Sequence, residues 1–252
     1  MKNLRTEGLV IRSGNYGEAD KLLTILTPDA GKIPSIARGA CKTKSKLAAC
    51  VQLFIRGEFL FYMGKTLATV TQAEIKNSFY SLREDLFKYS YGQYFCELSG
   101  KLLEEKVPSP EIYWLLLSAF KALEEGEGDM EVLARSFELK LLSLSGYQPH
   151  LEGCLACGGE APSYRLDYRE GGLLCSRCTS SQGHSLKISL GVRSLLKKLI
   201  TSDLSRLKIL KIQPPHKKEI AFINKKFLEY NMNLGSCKSL AFLEGLAGEE
   251  DH

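Results

Sequence analysis

The stretch CLACGGEAPSYRLDYREGGLLCSRC, from Cys154 to Cys178, carries four of the chain's eight cysteines as two C-x-x-C pairs. Thiolates three residues apart can share one tetrahedral ion at about 2.3 Å, and a second pair returning across a hairpin completes four ligands. Cys154, Cys157, Cys175 and Cys178 are therefore the candidate metal ligands, and the expected ion is a structural Zn2+, one per chain. Gly158-Gly159 after Cys157 and Gly171-Gly172 ahead of the second pair supply the tight turns that such knuckles need. Four cysteines close the site to water and substrate, which points to a scaffold and not to catalysis. Redox chemistry or a disulfide pair is the alternative, but a thioredoxin-like C-x-x-C opens a helix in a βαβ unit that this region does not offer. A zinc-deaminase pattern fails because no H-x-E precedes a P-C-x-x-C.

The second stretch with chemistry in it is ARGACKTKSKLAAC, residues 37–50, where Arg38, Lys42, Lys44 and Lys46 stand in a span with no acid between Asp29 and Glu58. Cations at this density on one loop can meet a phosphate backbone. Lys32 and Arg12 are further candidates, while a merely solvated loop is the alternative. Cys41 and Cys50 fit no metal spacing and read as buried small hydrophobes. No catalytic constellation emerges: His150, His184 and His216 fall in expected loops, His252 is terminal, and H-E-x-x-H, G-x-S-x-G and P-loop patterns are missing from the sequence.

These stretches need elements to hold them. Residues 1–78 contain five runs rich in β-branched and aromatic residues, EGLVIRSG, DKLLTILTP, GKIPSIARG, VQLFIRGEFLFYM and KTLATVTQAEI, which suit a closed or nearly closed barrel. In the fourth run Val51, Leu53, Ile55, Phe59, Phe61 and Met63 should form the core face. Gln52, Phe54, Arg56, Glu58, Leu60 and Tyr62 should form an outer face that stacks on nucleic acid or docks on the next domain. A basic five-stranded barrel favours nucleic acid, since such barrels bind single strands through cationic grooves.

From Asn77 the apolar period becomes helical, with Phe79, Leu82, Leu86, Tyr89, Cys96 and Leu103 along one stripe. A helix from Pro110 and another capped by Asp129 and ending at Gly146 complete residues 79–150. The cysteine module spans 151–184. Three amphipathic segments in 185–252 should pack back onto the first helices, making the module an insertion. The expected class is α+β and multidomain.

Charge is segregated along the chain. Residues 1–80 hold 12 Lys and Arg against 6 Asp and Glu, residues 81–153 hold 7 against 13, and residues 154–252 hold 15 against 10. With 44% hydrophobic and 25% charged residues the composition is that of an ordinary globular protein. The N-terminal MKNLRTEGLVIRSG lacks a secretory h-region, and no apolar run approaches the ~20 residues of a membrane span, so a cytoplasmic location is expected.

GLVIRSGNYGEADKLLTILTPDAGKIPSIARGACKTKSKLAACVQLF at 8–54, FELKLLSLSGYQPHLEGCLACG at 137–158 and the domain order resemble the bacterial DNA repair and recombination mediator family RecO. The resemblance implies an N-terminal OB-fold, a helical domain and, where the cysteines are kept, a zinc module. It implies a non-enzymatic, nucleoid-associated protein that binds single- and double-stranded DNA and anneals complementary strands. With RecR, such a protein helps RecA load onto strands coated by single-strand-binding protein. Thr43 stands where family members often have proline. Arg135, just before FELKLL, is the candidate contact for the acidic tail of single-strand-binding protein. An RNA-binding module, a protein–protein adaptor and an oxidoreductase are the competing classes.

Overall fold

The computed structural model describes residues 3–179, 184–232 and 237–249. The chain divides into two compact units, residues 1–126 with 236–252, and residues 127–235. This division groups the first helices with the barrel, whereas sequence pattern places a boundary at 78/79.

In the first unit β1 (Asn3–Tyr16), β2 (Asp20–Thr27), β3 (Gly31–Ala37), β4 (Arg56–Tyr62) and β5 (Ala68–Asn77) close a barrel in the order β1-β2-β3-β5-β4. Only β3 and β5 run parallel, through Ser35 and Ile36 against Ala68 and Thr69; the barrel is of the five-stranded OB type expected for the N-terminal domain. Its interior is Val10, Leu23, Ile25, Ile33, Phe59, Phe61 and Val70 with their neighbours, drawn from alternate positions of every strand. A register shift between Val10 and Arg12 breaks the alternation in β1, so that Val10 and Ile11 are both buried.

The fourth apolar run behaves differently from its period-two reading. Only Arg56–Tyr62 is strand, and residues 51–55 form turns in which Phe54 takes a φ of 71°. Phe54, expected on the outer face, is fully buried and packs edge-on against Tyr89 and Phe120 of the helices at 5.6 and 5.2 Å. The docking alternative is therefore correct at this residue, because a turn re-aims the side chain. Gly92 makes room for it: a Cβ there would lie 3.0 Å from the Phe54 ring.

The helix expected from Asn77 is two, α1 (Ser81–Glu84) and α2 (Leu86–Leu102). Asp85 between them is extended and its carboxylate accepts from the Lys88 N–H, capping α2 and stopping α1. Leu86, assigned to the buried stripe, is thereby 55% exposed. α3 (Pro110–Glu125) begins at its proline and ends at Gly126, φ 68°. α7 (Lys238–Glu249) packs on α2, its first turn held by Glu97, which accepts from Ser239 N at 3.0 Å and Ser239 Oγ at 2.5 Å.

In the second unit α4 (Met130–Leu144) is the hub for α5 (Leu190–Thr201), a 3-10 helix (Leu204–Ile209) and α6 (Pro214–Met232). Asp129 caps α4 as expected. The C-terminal segments thus return to the helices of residues 79–150: α5 and α6 pack on α4, and α7 on α2. β6 (Tyr164–Asp167), β7 (Gly172–Cys175) and β8 (Ser185–Ile188) form a sheet in the order β7-β6-β8. β8 completes the cysteine module from residues that helical periodicity assigned to the next segment. Among the described residues no helix is long and apolar enough to cross a membrane.

Barrel and helices of the first unit meet at Glu7. Its Oε1 accepts from Arg56 Nε at 2.9 Å and Tyr113 Oη at 2.6 Å, and Oε2 accepts from Lys76 Nζ at 2.7 Å. Burial alone would raise this carboxyl, but the bonds from Lys76, Tyr113 and Arg56 outweigh it and bring the pKa from 4.5 to about 2. A depressed pKa stabilises the fold above the unfolded value and ceases to do so as pH falls through the folded one. Glu7→Gln is expected to cost on the order of 2 kcal/mol at pH 7. Urea denaturation should show the deficit shrinking between pH 4.5 and about 2; a deficit constant across that window would refute the assignment. Gly31→Ala is expected to be costly for a different reason. Its φ is 68°, and a Cβ would fall 2.2 Å from the Val107 carbonyl oxygen, so a marked fall in melting temperature should follow.

Candidate metal centre and nucleic-acid interface

The four cysteines of the module converge. The sulfurs of Cys154, Cys157, Cys175 and Cys178 all lie within 4.8 Å of one another, and Cys157 Sγ is 3.9 Å from Cys175 Sγ. Sulfurs bound at about 2.3 Å around a tetrahedral ion are about 3.8 Å apart, so the group fits and can hold a metal ion. The first pair sits on a turn in which Gly158 N–H donates to the Cys154 carbonyl at 2.7 Å, and Gly158 has φ 69°. The second pair begins at the end of β7, in register with Tyr164 of β6.

Backbone donors favour thiolate here. The Cys175 N–H points at Cys154 Sγ at 3.3 Å, and this bond is the main reason the Cys154 thiol is lowered from 9.0 to about 6. Cys178 goes the other way, raised by bonds with the Cys175 and Cys157 sulfurs. Metal binding must therefore displace protons from the group.

Arg193 of α5 fastens the module. Its Nε donates to the Leu151 carbonyl at 2.8 Å, and its guanidinium lies 4.9 Å from the centre of the Tyr164 ring.

The basic candidates fall into two groups. Arg38, Lys42, Lys44 and Lys46 are exposed on the turns between β3 and β4, and none has an acidic partner among the described residues. Their loop is fixed at its base: Gly39 N–H donates to Asp20 Oδ1 at 2.7 Å, and Cys41 N–H to the Ala19 carbonyl at 2.8 Å. Further along, Ser45 N–H donates to the Lys42 carbonyl, and Ala40 and Val51 sink into the barrel core. Arg12 and Lys32 lie elsewhere, along a cavity of about 630 Å3 shared with Gln93 and Lys101 of α2. Lys32 Nζ donates to the Gly100 carbonyl at 2.7 Å, so its charge serves the junction of barrel and helix.

Of the two cysteines flanking the loop, Cys50 is buried as expected, whereas Cys41 is exposed. Periodicity could not show this, because a turn has no inner face of fixed period. Tyr16, passed over in the sequence, ends β1 opposite Asp20 with 55% of its surface exposed. An aromatic residue directly before Gly17 at a hairpin tip was the available signal.

Arg135 is drawn inward. Its Nη1 donates to both oxygens of the fully buried Glu138 at 2.8 and 3.0 Å, and Asn224 Nδ2 donates to Glu138 Oε2 and to the Arg135 carbonyl. This network joins α4 to α6.

Comparison with known proteins decides the family. Residues 1–79 match the family "Recombination protein O N terminal" and residues 83–241 match "Recombination protein O C terminal". The chain belongs to the RecO family. It is similar to the DNA repair protein RecO of Alkaliphilus metalliredigens, 36% identical over 94% of this chain and 97% of that protein. The RecO of Halalkalibacterium halodurans is 36% identical over 96% of each chain. That of Symbiobacterium thermophilum is 39% identical over 82% of this chain and 83% of that one. A DNA repair role follows from membership of this family.

The metal centre yields its own test. Cys175→Ser, which replaces a buried sulfur at the end of β7, is expected to abolish metal retention measured by elemental analysis of the purified protein. It should also open residues 150–179 to limited proteolysis, since a closed four-cysteine site contributes directly to folding. Proteolytic resistance equal to that of the unaltered protein would show that the module stands without metal.

Proposed function

We propose that this RecO family protein is a recombination mediator that binds single- and double-stranded DNA and anneals complementary strands. With RecR, it promotes RecA loading on strands coated by single-strand-binding protein. The observation that carries this reading is the acid-free loop from Arg38 to Lys46, anchored to the barrel through Asp20 and Ala19. Four unneutralised cations on a fixed base attract a phosphate backbone and release its counterions, a term that is strong and independent of sequence. Tyr16 at the neighbouring hairpin tip offers a flat surface for a base.

Annealing needs no bond to break. Two strands repel through their phosphates, and cations that neutralise one lower the barrier to approach of the other. Nucleotide hydrolysis is not part of this mechanism, and the protein acts in the cytoplasm at the nucleoid. The metal is Zn2+, and its role is structural: four thiolates suit a soft-ligand tetrahedral ion and leave it no open position.

The deciding experiment is annealing of complementary strands precoated with the cognate single-strand-binding protein, without nucleotide. Acceleration by the protein is expected, and its absence from folded, metal-loaded protein would overturn the reading. In direct binding to a single strand, the slope of log K against log salt should be about −3 for four phosphate contacts. The joint change Lys42→Glu, Lys44→Glu and Lys46→Glu should weaken binding at least tenfold and flatten that slope, with the melting temperature unchanged. An RNA oligonucleotide of the same sequence bound more tightly than DNA would favour an RNA-binding protein instead.

A further inference from the structure

The sheet of the metal module carries an arrangement that the loop does not explain. Arg165 of β6 and Lys187 of β8 are direct cross-strand partners in the antiparallel register, so both project from one face. Like charges directly opposite one another weaken a sheet. Neither side chain has an acidic partner among the described residues. Glu219 lies on the wall of the same cavity and forms no ion pair with either. The two cations line a cavity of about 1070 Å3 together with the hydroxyls of Ser163, Thr179 and Ser185.

Apart from the Glu219 carboxylate, this surface suits phosphate. Arg165 is set in place by its own sheet, donating from Nε to Ser185 Oγ at 2.7 Å and from Nη2 to the Ser185 carbonyl at 2.6 Å. Those bonds fix the guanidinium plane and leave three N–H donors for an anion. Lys187 is exposed and adds a mobile point charge. The Ser163 and Ser185 hydroxyls can contact phosphate oxygens without adding charge, whereas Thr179 Oγ1 already donates to the Cys175 carbonyl at 2.8 Å. The cavity is far larger than one phosphate fills, so it accommodates a passing chain of nucleotides better than a free ion.

We infer that this face of the metal module is a second contact for the phosphodiester backbone of a nucleic-acid strand, with Arg165 and Lys187 as its cations. The inference rests on the strand-annealing reading and deepens it. A protein that pairs strands gains from holding backbone at a place other than the loop, and the closed metal site fixes the sheet that presents these cations. An anion here also relieves the repulsion between Arg165 and Lys187, which gives the sheet a reason to tolerate them.

The test is lysine footprinting of the full-length, metal-loaded protein with an amine-reactive reagent, with and without a single-stranded DNA oligonucleotide. The oligonucleotide is expected to slow modification of Lys187 at least threefold. Lys187→Gln should lower affinity several-fold and reduce the magnitude of the salt slope by about 0.7, as for one lost phosphate contact, and Lys187→Arg should restore both. Protection of Lys42, Lys44 and Lys46 with Lys187 unchanged would overturn this inference and leave the proposed function standing. Protection of none of them would overturn both. Protection of Lys187 by inorganic phosphate but not by DNA would reassign the site to small phosphate compounds and overturn the inference as stated.

Discussion

One carboxylate holds the first unit together. Glu7 draws Arg56 from β4, Lys76 from β5 and Tyr113 from α3 to a strand at the centre of the chain's first motif. Its side chain is only 18% exposed, so each donor meets a charge that water screens weakly, and an empty place there would strand a half-buried guanidinium and a buried phenol. Phe54 repeats the junction in apolar form, entering between Tyr89 and Phe120 above Gly92. A barrel locked to helices on one flank has a fixed remainder, and the loop from Arg38 to Lys46 belongs to that remainder.

Charge segregation along the sequence has a structural explanation in what the acids are doing. Three carboxylates of the acid-rich middle segment are committed to structure, while others such as Glu104, Glu105, Glu111 and Glu125 are exposed: Glu97 receives the first turn of α7, Asp129 caps α4 and pairs with Lys217, and Glu138 is buried with Arg135 and Asn224. Acids committed in this way cannot neutralise a distant surface. The loop carries no acid of its own between Asp29 and Glu58, and the carboxylate at its base, Asp20, accepts from the Gly39 N–H and forms no ion pair with the loop's cations among the described residues. The folded chain is therefore more asymmetric in accessible charge than its overall charge of +5 conveys.

How far sequence alone reached depended on whether a feature was periodic or local. Strands with strict alternation were placed well, as β3 shows with Gly31, Ile33, Ser35 and Ala37 inward. Caps with a chemical signature were also readable, at Asp129 and Pro110. The failures share one cause, a turn hidden inside an apolar run. Phe54 takes a left-handed φ that turns it onto the helices, and Asp85 caps one helix by ending another, neither of which a period can register. The cysteine quartet was fully readable because ligand spacing is a local constraint. Its third strand was not, since the four residues of β8 are too few to carry a pattern. Arg135 illustrates a different limit: the acid that captures it lies one turn along the same helix, but only packing of α6 buries that acid and closes the network through Asn224.

The cysteine module buries Leu151, Tyr164, Leu166, Leu173 and Leu174, and a metal ion held by its four cysteines would add to that small core. Its strands are four residues each, and short sheets of this size are marginal in water without a further constraint. Arg193 contributes one, through the Leu151 carbonyl and the Tyr164 ring, but it grips only the entry and the central strand. Four sulfurs within 4.8 Å of one another would, on binding an ion, add a tie between the turn after Cys154 and the end of β7, beside the backbone bonds from Leu155 N–H to the Leu173 carbonyl at 2.6 Å and from Leu173 N–H to the His150 carbonyl at 3.0 Å. Four thiolate ligands would leave such an ion no open position, so the closure that joins the turn to the strand also removes any place for a substrate.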